Sequence, residues 1–372
     1  MGLALMAVIL SACTARRPAS NQLSPATDPD QMVMSATAVL PVATRARPTA
    51  TAVLASSEAV VPTAQQPDAL MAKPQSDELV SLSYKWFYRT EWTWETQIPR
   101  SLYDYYKQLP RLRTTNYSVY VSHPLDDEYI ALLADEIKEA AANAAYTDYE
   151  TVEFATAFVQ SLPFTDDSVT TPYDEYPRYP VETLVDNGGD CEDTSILLAA
   201  IVDKLGYGAV LIMLPQHVAV GVAGEDTIEG TYYKYDGRSF YYVETTGEGY
   251  RIGESPEEYS GARASVYPVQ PVAILTHDYD ATPNGDQVGV QVTVHNVGTA
   301  RSGRVVVSAG FASSEWVFNA QESGIVPIEA GASATVSVNV KIPQERHIRL
   351  LVQVLVDDVV VDESTSGWLD GE

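Results

Sequence analysis

The sequence predicts an α+β unit, built on one central apolar helix and an antiparallel sheet, followed by a separate all-β sandwich. Three observations predict it. Apolar residues recur at helical spacing in three segments between about residues 126 and 206. Short apolar and aromatic runs, divided by turn residues, then occupy 209–245. From about residue 269 every periodic run alternates with a period of two. Helices followed by a meander are an α+β layout, and strands alone are a sandwich.

The chain opens "MGLALMAVILSAC". Residues 3–10 are almost wholly apolar, and the small Ser11 and Ala12 precede Cys13, the layout of a short secretory segment with a cleavage site. The run is too short for an ordinary spanning helix. Residues 14–78 are rich in Ala, Thr, Ser, Pro and Val, with no aromatic residue and no sustained period. Such a composition buries too little surface to offset chain entropy, so a disordered tether is expected there.

Aromatic residues begin after Leu79, and alternation at Tyr84, Trp86, Tyr88 and at Trp92, Trp94 predicts a strand or two. "DDEYIALLADEIKEAAANAA" puts Ile130, Leu133 and Ile137 on one helical face behind an Asp pair. A second helix follows in "YETVEFATAFVQSLPF", where Val152, Ala155, Phe158 or Val159, and Leu162 share a face and Pro163 stops it. A Tyr- and Pro-rich loop then leads to "NGGDCEDTSILLAAIVDKLG". Ile196 to Ile201 and Leu205 make this third helix apolar on most sides, so it belongs in the core, with Gly206 as its cap. "AVLIMLP", "HVAVGV" and "TYYKYDGRSFYYVETT" are strands, the last pair joined by a "DG" hairpin turn. Beyond residue 269, "VGVQVTVHNVG", "RVVVSAGF", "ASATVSVNVKIP" and "RLLVQVLVDDVVVDES" alternate cleanly as a small sandwich. "HDYDATPNGD" there has acidic spacing, but Pro283 stands where a calcium loop needs Gly and no Glu closes it, so it reads as an "NG" turn.

Cys13 and Cys191 are the only cysteines. Asp190 is a good N-cap residue and puts Cys191 at the first helical position, where backbone N–H groups favour a thiolate. Gly188 and Gly189 permit close approach of the chain, whereas Glu192 and Asp193 oppose a thiolate, so a cationic partner is needed. Of the five histidines, His217 opens the strand after the Cys191 helix. His123 precedes Pro124 in a loop, and His277, His295 and His347 lie in the sandwich. The third position calls for an acid on the next strands: Glu244 sits near the end of the hairpin's second strand, whereas Asp236 lies in the turn and is less well placed to face His217. One cysteine with scattered histidines lacks the paired spacing of a zinc site, so no metal and no cofactor is expected. Tyr173, Tyr176 and Tyr179 either wall a peptide cleft or cover the domain.

The net charge is −27, and residues 1–78 hold five Lys or Arg and six Asp or Glu, so nearly all the acidity lies in 79–372. Such a charge repels nucleic acid and anionic headgroups.

At "GGDCEDTSILLAAIVDKLGY", "PQHVAVGV" and "YYVETT" the chain resembles the transglutaminase-like superfamily of papain-related cysteine enzymes, over roughly residues 84–265. The resemblance implies Cys191 as nucleophile, His217 as general base and acid, and Glu244, where that family commonly has Asp, orienting the imidazole. It also implies acyl transfer on amide bonds of a peptide or protein substrate through a thioester, ending in hydrolysis or in transfer to an amine. A non-catalytic peptide-binding or adhesion module of the cell envelope is the rival reading. "LSAC" resembles the bacterial lipobox, which implies that Cys13 is lipidated and holds the protein at the cell surface by its lipid alone. The last part resembles immunoglobulin-like modules of bacterial and archaeal surface proteins, including the CARDB type. The expected organisation is a leader at 1–13, a linker at 14–78, a transglutaminase-like domain at 79–268 and a sandwich at 269–372.

Overall fold

The computed structural model describes residues 78–369, apart from 113, 168–175, 226, 325–326 and 346. The expectations for the leader, for Cys13, for almost all of the linker and for Tyr173 lie outside the described residues. The chain divides into two compact units, one running to Gln270 and one from Pro271. It is a mixed α/β protein with antiparallel sheets. Among the described residues, no helix is long and apolar enough to cross a membrane.

The first unit opens with a hairpin of β1 (Leu79–Tyr88) and β2 (Thr90–Pro99), turned at Arg89 with a positive φ and pairing Tyr84 with Trp94 and Trp86 with Trp92. Alternation buries Tyr84, Trp86 and Trp94 on one face. A helix follows that the aromatic spacing did not suggest, α1 (Arg100–Gln108). It buries Leu102 and Tyr106, four apart, and the helical reading of "RSLYDYYKQ" wins because that pair has a core to enter. The short α2 (Ser118–Val121) precedes α3 (Asp127–Asn143), whose Ile130, Leu133 and Ile137 are buried as the spacing requires. Helix α4 (Asp148–Gln160) starts on a Thr147–Glu150 capping box. Its Phe158 meets Tyr84 edge-on with ring centroids 5.4 Å apart, and its Phe154 stacks on Trp86 at 5.5 Å.

The expected loop before Gly188 contains a helix, α5 (Pro180–Asp186). Pro180 sits in its first turn, where its missing N–H costs nothing, and Asn187 ends it with φ 53°. Then comes α6 (Cys191–Leu205), buried along almost its whole length and closed by Gly206 at φ 89°. It packs against the sheet of β3 (Ala209–Leu214), β4 (His217–Gly224), β5 (Tyr232–Tyr235), β6 (Arg238–Val243) and β7 (Ser265–Pro268). The order is β5-β6-β4-β3-β7, antiparallel throughout. Asp236 and Gly237 both take positive φ, as the two-residue "DG" turn demands. Strand β7, which no pattern flagged, completes the far edge beside β3.

The second unit holds β8 (Leu275–Asn284), β9 (Gln287–Asn296), β10 (Val305–Ala312), β11 (Val317–Glu322), β12 (Ser333–Lys341), β13 (Arg349–Val356) and β14 (Val359–Thr365). A β12-β9-β8 sheet and a β11-β10-β13-β14 sheet enclose Val290, Val292, Val294, Val307, Phe311, Val340 and Val352. The "NG" segment is the β8–β9 turn, with Gly285 at φ 63°. Two of the histidines set aside here are tied within the sandwich. His277 meets Asp362 and Ser364 at 2.7 Å each, and His295 meets Ser333 at 2.8 Å.

Candidate active site

Helix α6 delivers its first residue, Cys191, to a tightly specified place. Gly188 has φ 147°, and a Cβ on it would strike the Pro163 carbonyl. A Cβ on Gly189 would strike the Asp193 carboxyl. The two glycines therefore serve the packing of the helix start against its own chain. Arg178, 1% exposed, locks the same turn. Its backbone N–H donates to Asp193 Oδ1 at 2.7 Å, and its guanidinium donates to Asp193 Oδ2, meets Asp167 at 3.1 Å and reaches Asp186 at 3.2 Å. Burial works against this charge, but Asp193 and Asp167 more than offset it and hold the guanidinium above its ordinary range. Asp193, expected to oppose a thiolate through its charge, is thereby neutralised by a neighbour.

Cys191 is 6% exposed, and its Sγ lies 3.3 Å from Glu192 Oε2. Burial first, and the Glu192 charge second, push the Asp190 carboxyl up to about 10, so Asp190 carries a proton at neutral pH. Carboxylate oxygens of Asp167, Asp190 and Glu192 lie within 4.8 Å of one another. Such a group is able to hold a cation, and the sequence, from which no metal was expected, did not single it out.

His217 opens β4 straight after the turn at Gln216, whose φ is 58°. Its Nε2 lies 3.1 Å from Glu244 Oε2 and 3.2 Å from the Tyr242 hydroxyl, which itself donates to Glu244 Oε2 at 2.7 Å. The other Glu244 oxygen accepts from Thr245 N at 3.0 Å, Thr246 N at 2.9 Å and Thr246 Oγ1 at 2.7 Å. Burial alone would raise this carboxyl. The His217 hydrogen bond and charge, together with the Thr246 donors, overcome burial and bring it down to about 2. Glu244 is thus a fully buried carboxylate with its lone pairs committed. Burial, and then the Glu244 charge, push the Tyr242 phenol far above its ordinary range, so it stays a neutral donor. Tyr259 stacks on the His217 ring, with centroids 4.5 Å apart and planes 4° off parallel.

Three buried hydroxyls join these elements one turn below Cys191. Ser195 Oγ donates to the carbonyl of Val218, the neighbour of His217, at 2.9 Å. Thr245 Oγ1, beside Glu244, lies 2.9 Å from Thr194 Oγ1 and 3.1 Å from Ser195 Oγ. Gln160 fixes the acid-bearing loop from behind, donating to the Glu244 and Tyr250 carbonyls and accepting from Gly249 N. The fold therefore joins His217 directly to Glu244 and seats the Cys191 end of α6 against both of their segments.

Sequence reasoning missed Arg178, Tyr242, Tyr259 and Gln160. Only Tyr242 carried a readable signal. It stands two residues before Glu244 in an alternating strand and so faces the same side. The others meet the site through tertiary contacts. Tyr176 and Tyr179 are both buried, Tyr176 on Glu182 and under the Arg111 guanidinium, Tyr179 stacked on Tyr106; of the two readings given them, they fit covering the domain. His123 is held by the Tyr106 hydroxyl at 2.9 Å, and burial brings it down to about 4.

Residues 273–366 match the CARDB family model. No curated protein matches the chain. Among solved structures, the CARDB domain of a Pyrococcus furiosus protein, solved with two metal ions, is similar at 14% identity, covering 25% of this chain and 90% of that one, with a TM-score of 0.19. The calcium-bound LapG of Legionella pneumophila is similar at 18% identity over 44% of this chain and 86% of that one, with a TM-score of 0.25. The β-glucosidase DesR of Streptomyces venezuelae is similar at 20% identity with a TM-score of 0.19, and this chain spans 15% of its length. All three TM-scores are low, and the site stands on its own geometry.

Proposed function

We propose that the first unit is a transglutaminase-like cysteine enzyme that cleaves or transfers the acyl part of amide bonds in peptides or proteins. The observation that carries this reading is the buried pair of His217, at the start of β4, and Glu244, just after β6, whose neighbours Val218 and Thr245 are hydrogen-bonded to Ser195 and Thr194 one turn into the helix that Cys191 begins. Nε2 is committed to Glu244 and Tyr242, so exchange with sulfur falls to Nδ1. In this reading the Cys191 S–H proton passes to His217 Nδ1, and the thiolate attacks the amide carbonyl carbon. The Cys191 backbone N–H, at the first position of α6, is a donor for the oxyanion. The C–N bond then breaks, and Nδ1 returns the proton to the leaving amine. Water or an amine next attacks the thioester, gives its proton to Nδ1 and releases the thiol as the C–S bond breaks.

The lipobox-like "LSAC" supports anchoring at the cell surface through a lipid on Cys13. The acidity of residues 79–372 leaves that lipid as the means of membrane attachment.

The test is alkylation of the full chain with iodoacetamide between pH 5 and 9, read at the Cys191 peptide by mass spectrometry. The enzyme reading expects labelling with a midpoint well below the ordinary thiol value of about 8.5. It also expects that His217→Ala abolishes the depression. An ordinary thiol profile, unchanged by His217→Ala, would overturn it in favour of the non-catalytic binding module.

A further inference from the structure

Three polar atoms close a triangle at the buried end of the site. His217 Nε2 to Glu244 Oε2 is 3.1 Å, His217 Nε2 to Tyr242 Oη is 3.2 Å, and Tyr242 Oη to Glu244 Oε2 is 2.7 Å. Tyr242 is 0% exposed, His217 3% and Glu244 0%, so water does not supply a missing partner cheaply. Glu244 Oε1 already takes three donors, from Thr245 and Thr246. Among the described residues Oε2 has two, His217 and Tyr242, and Tyr242 is the shorter. Without Tyr242 the imidazole is the one partner of Oε2 left among them, while three donors pull on the other oxygen of the same carboxylate.

We infer that Tyr242 is a positioning residue of the Cys191–His217–Glu244 site. Its hydroxyl pins Glu244 Oε2 in reach of Nε2, and it gives the Nε2–H a second acceptor. The Nε2–H therefore stays in place in both the neutral ring and the imidazolium, and Nδ1 remains the nitrogen that exchanges a proton. Tyr242 does not meet the reacting atoms; it acts through the other two residues. Its reach to both partners follows from the strand. Tyr242 is paired with Gly221 of β4 and stands two residues before Glu244, so the two side chains share a face.

The other groups facing His217 do not replace it. Tyr259 covers the ring face by stacking, and Cys191 and Glu192 belong to the α6 end. Neither α6 nor the Tyr259 turn supplies a second donor to Glu244 Oε2 among the hydrogen bonds of the described residues.

The inference rests on the triad reading, and a double-mutant cycle separates the two. Cys191 alkylation is measured from pH 5 to 9 in the wild type, Tyr242→Phe, Glu244→Gln and the double variant, all as full chains. Tyr242→Phe keeps the ring and removes one oxygen. It is expected to raise the labelling midpoint by about half a pH unit or more, and to slow labelling at pH 6 by about 3-fold to 10-fold, the size of one lost hydrogen bond. In the Glu244→Gln background the same change is expected to do clearly less, because the route through the carboxylate is gone and only the direct contact to Nε2 is left to lose. Equal effects of Tyr242→Phe in both backgrounds, or a wild-type profile in Tyr242→Phe while His217→Ala and Glu244→Gln shift it, would overturn the positioning role and leave the triad standing. An ordinary thiol profile in the wild type itself would remove the triad, and with it this inference.

Discussion

Replacing Glu244 by Gln tests the electrostatics of the site most directly. The carboxylate accepts five hydrogen bonds, three on Oε1 and two on Oε2. A Gln has one oxygen, so it is expected to keep that oxygen on the three-donor side. Its NH2 then faces His217 Nε2 and the Tyr242 hydroxyl. Nε2 must now accept, which moves the ring proton to Nδ1, the nitrogen that receives the thiol proton in the proposed mechanism. The corresponding change of carboxylate to amide in a serine-protease triad fails through the wrong tautomer. The size of the electrostatic loss follows from the carboxyl itself. Holding it at about 2 instead of its ordinary 4.5 corresponds to roughly 3 kcal/mol of preference for the charged form. A Coulomb estimate for one unit pair at the observed 3.1 Å, with an effective dielectric of about 20, gives an upper figure of ~5 kcal/mol. Part of the preference comes from Thr246, so His217 is expected to lose about one to two pH units of proton affinity. Cys191 alkylation at pH 6 should then fall by roughly 10-fold to 100-fold, at one decade for each ~1.4 kcal/mol. Long-range ¹H–¹⁵N spectra of His217 should show the proton moving from Nε2 to Nδ1. Labelling within about 2-fold of wild type across pH 5 to 9, a spread worth under ~0.5 kcal/mol, together with an unmoved tautomer, would refute the reasoning.

Asp126 offers a separate test on stability. It is 1% exposed at the start of α3, and burial raises its carboxyl to about 7. A raised carboxyl stabilises the fold fully only below its ordinary value near 3.8, and that contribution is lost as pH rises through about 7. Asp126→Asn should therefore gain on the wild type between pH 4.5 and 8, by at most ~4 kcal/mol. Urea unfolding followed through the buried Trp86 and Trp94 measures this, and an equal difference at both pH values would contradict it. Cys13→Ser should free the protein from membranes or leave the leader attached. A variant that partitions like the wild type at the same mass would end the lipoprotein reading.

Much of this protein is determined by local sequence. The period of α3 and α4, the "DG" and "NG" turns and the alternating sandwich strands each depend on residues a few positions apart, and each formed as the pattern required. The Cys191 helix and its Gly206 cap were legible for the same reason. Cys191, His217 and Glu244 could be chosen because one thiol at a helix start needs a cation, and only one histidine opens the following strand. Tertiary structure decided the rest. Helix α1 exists because Leu102 and Tyr106 find a core, and α5 because its seven residues, Pro180–Asp186, pack beside α6. Arg178 neutralises Asp193 from fifteen residues away, and Tyr259 stacks on His217 from a turn no motif marks. The Thr194–Thr245–Ser195 hydroxyls that seat the helix against the acid's loop join residues about fifty apart. Charge balance and hydrogen-bond satisfaction in a buried site are properties of what surrounds an atom in space, and a linear pattern carries neither.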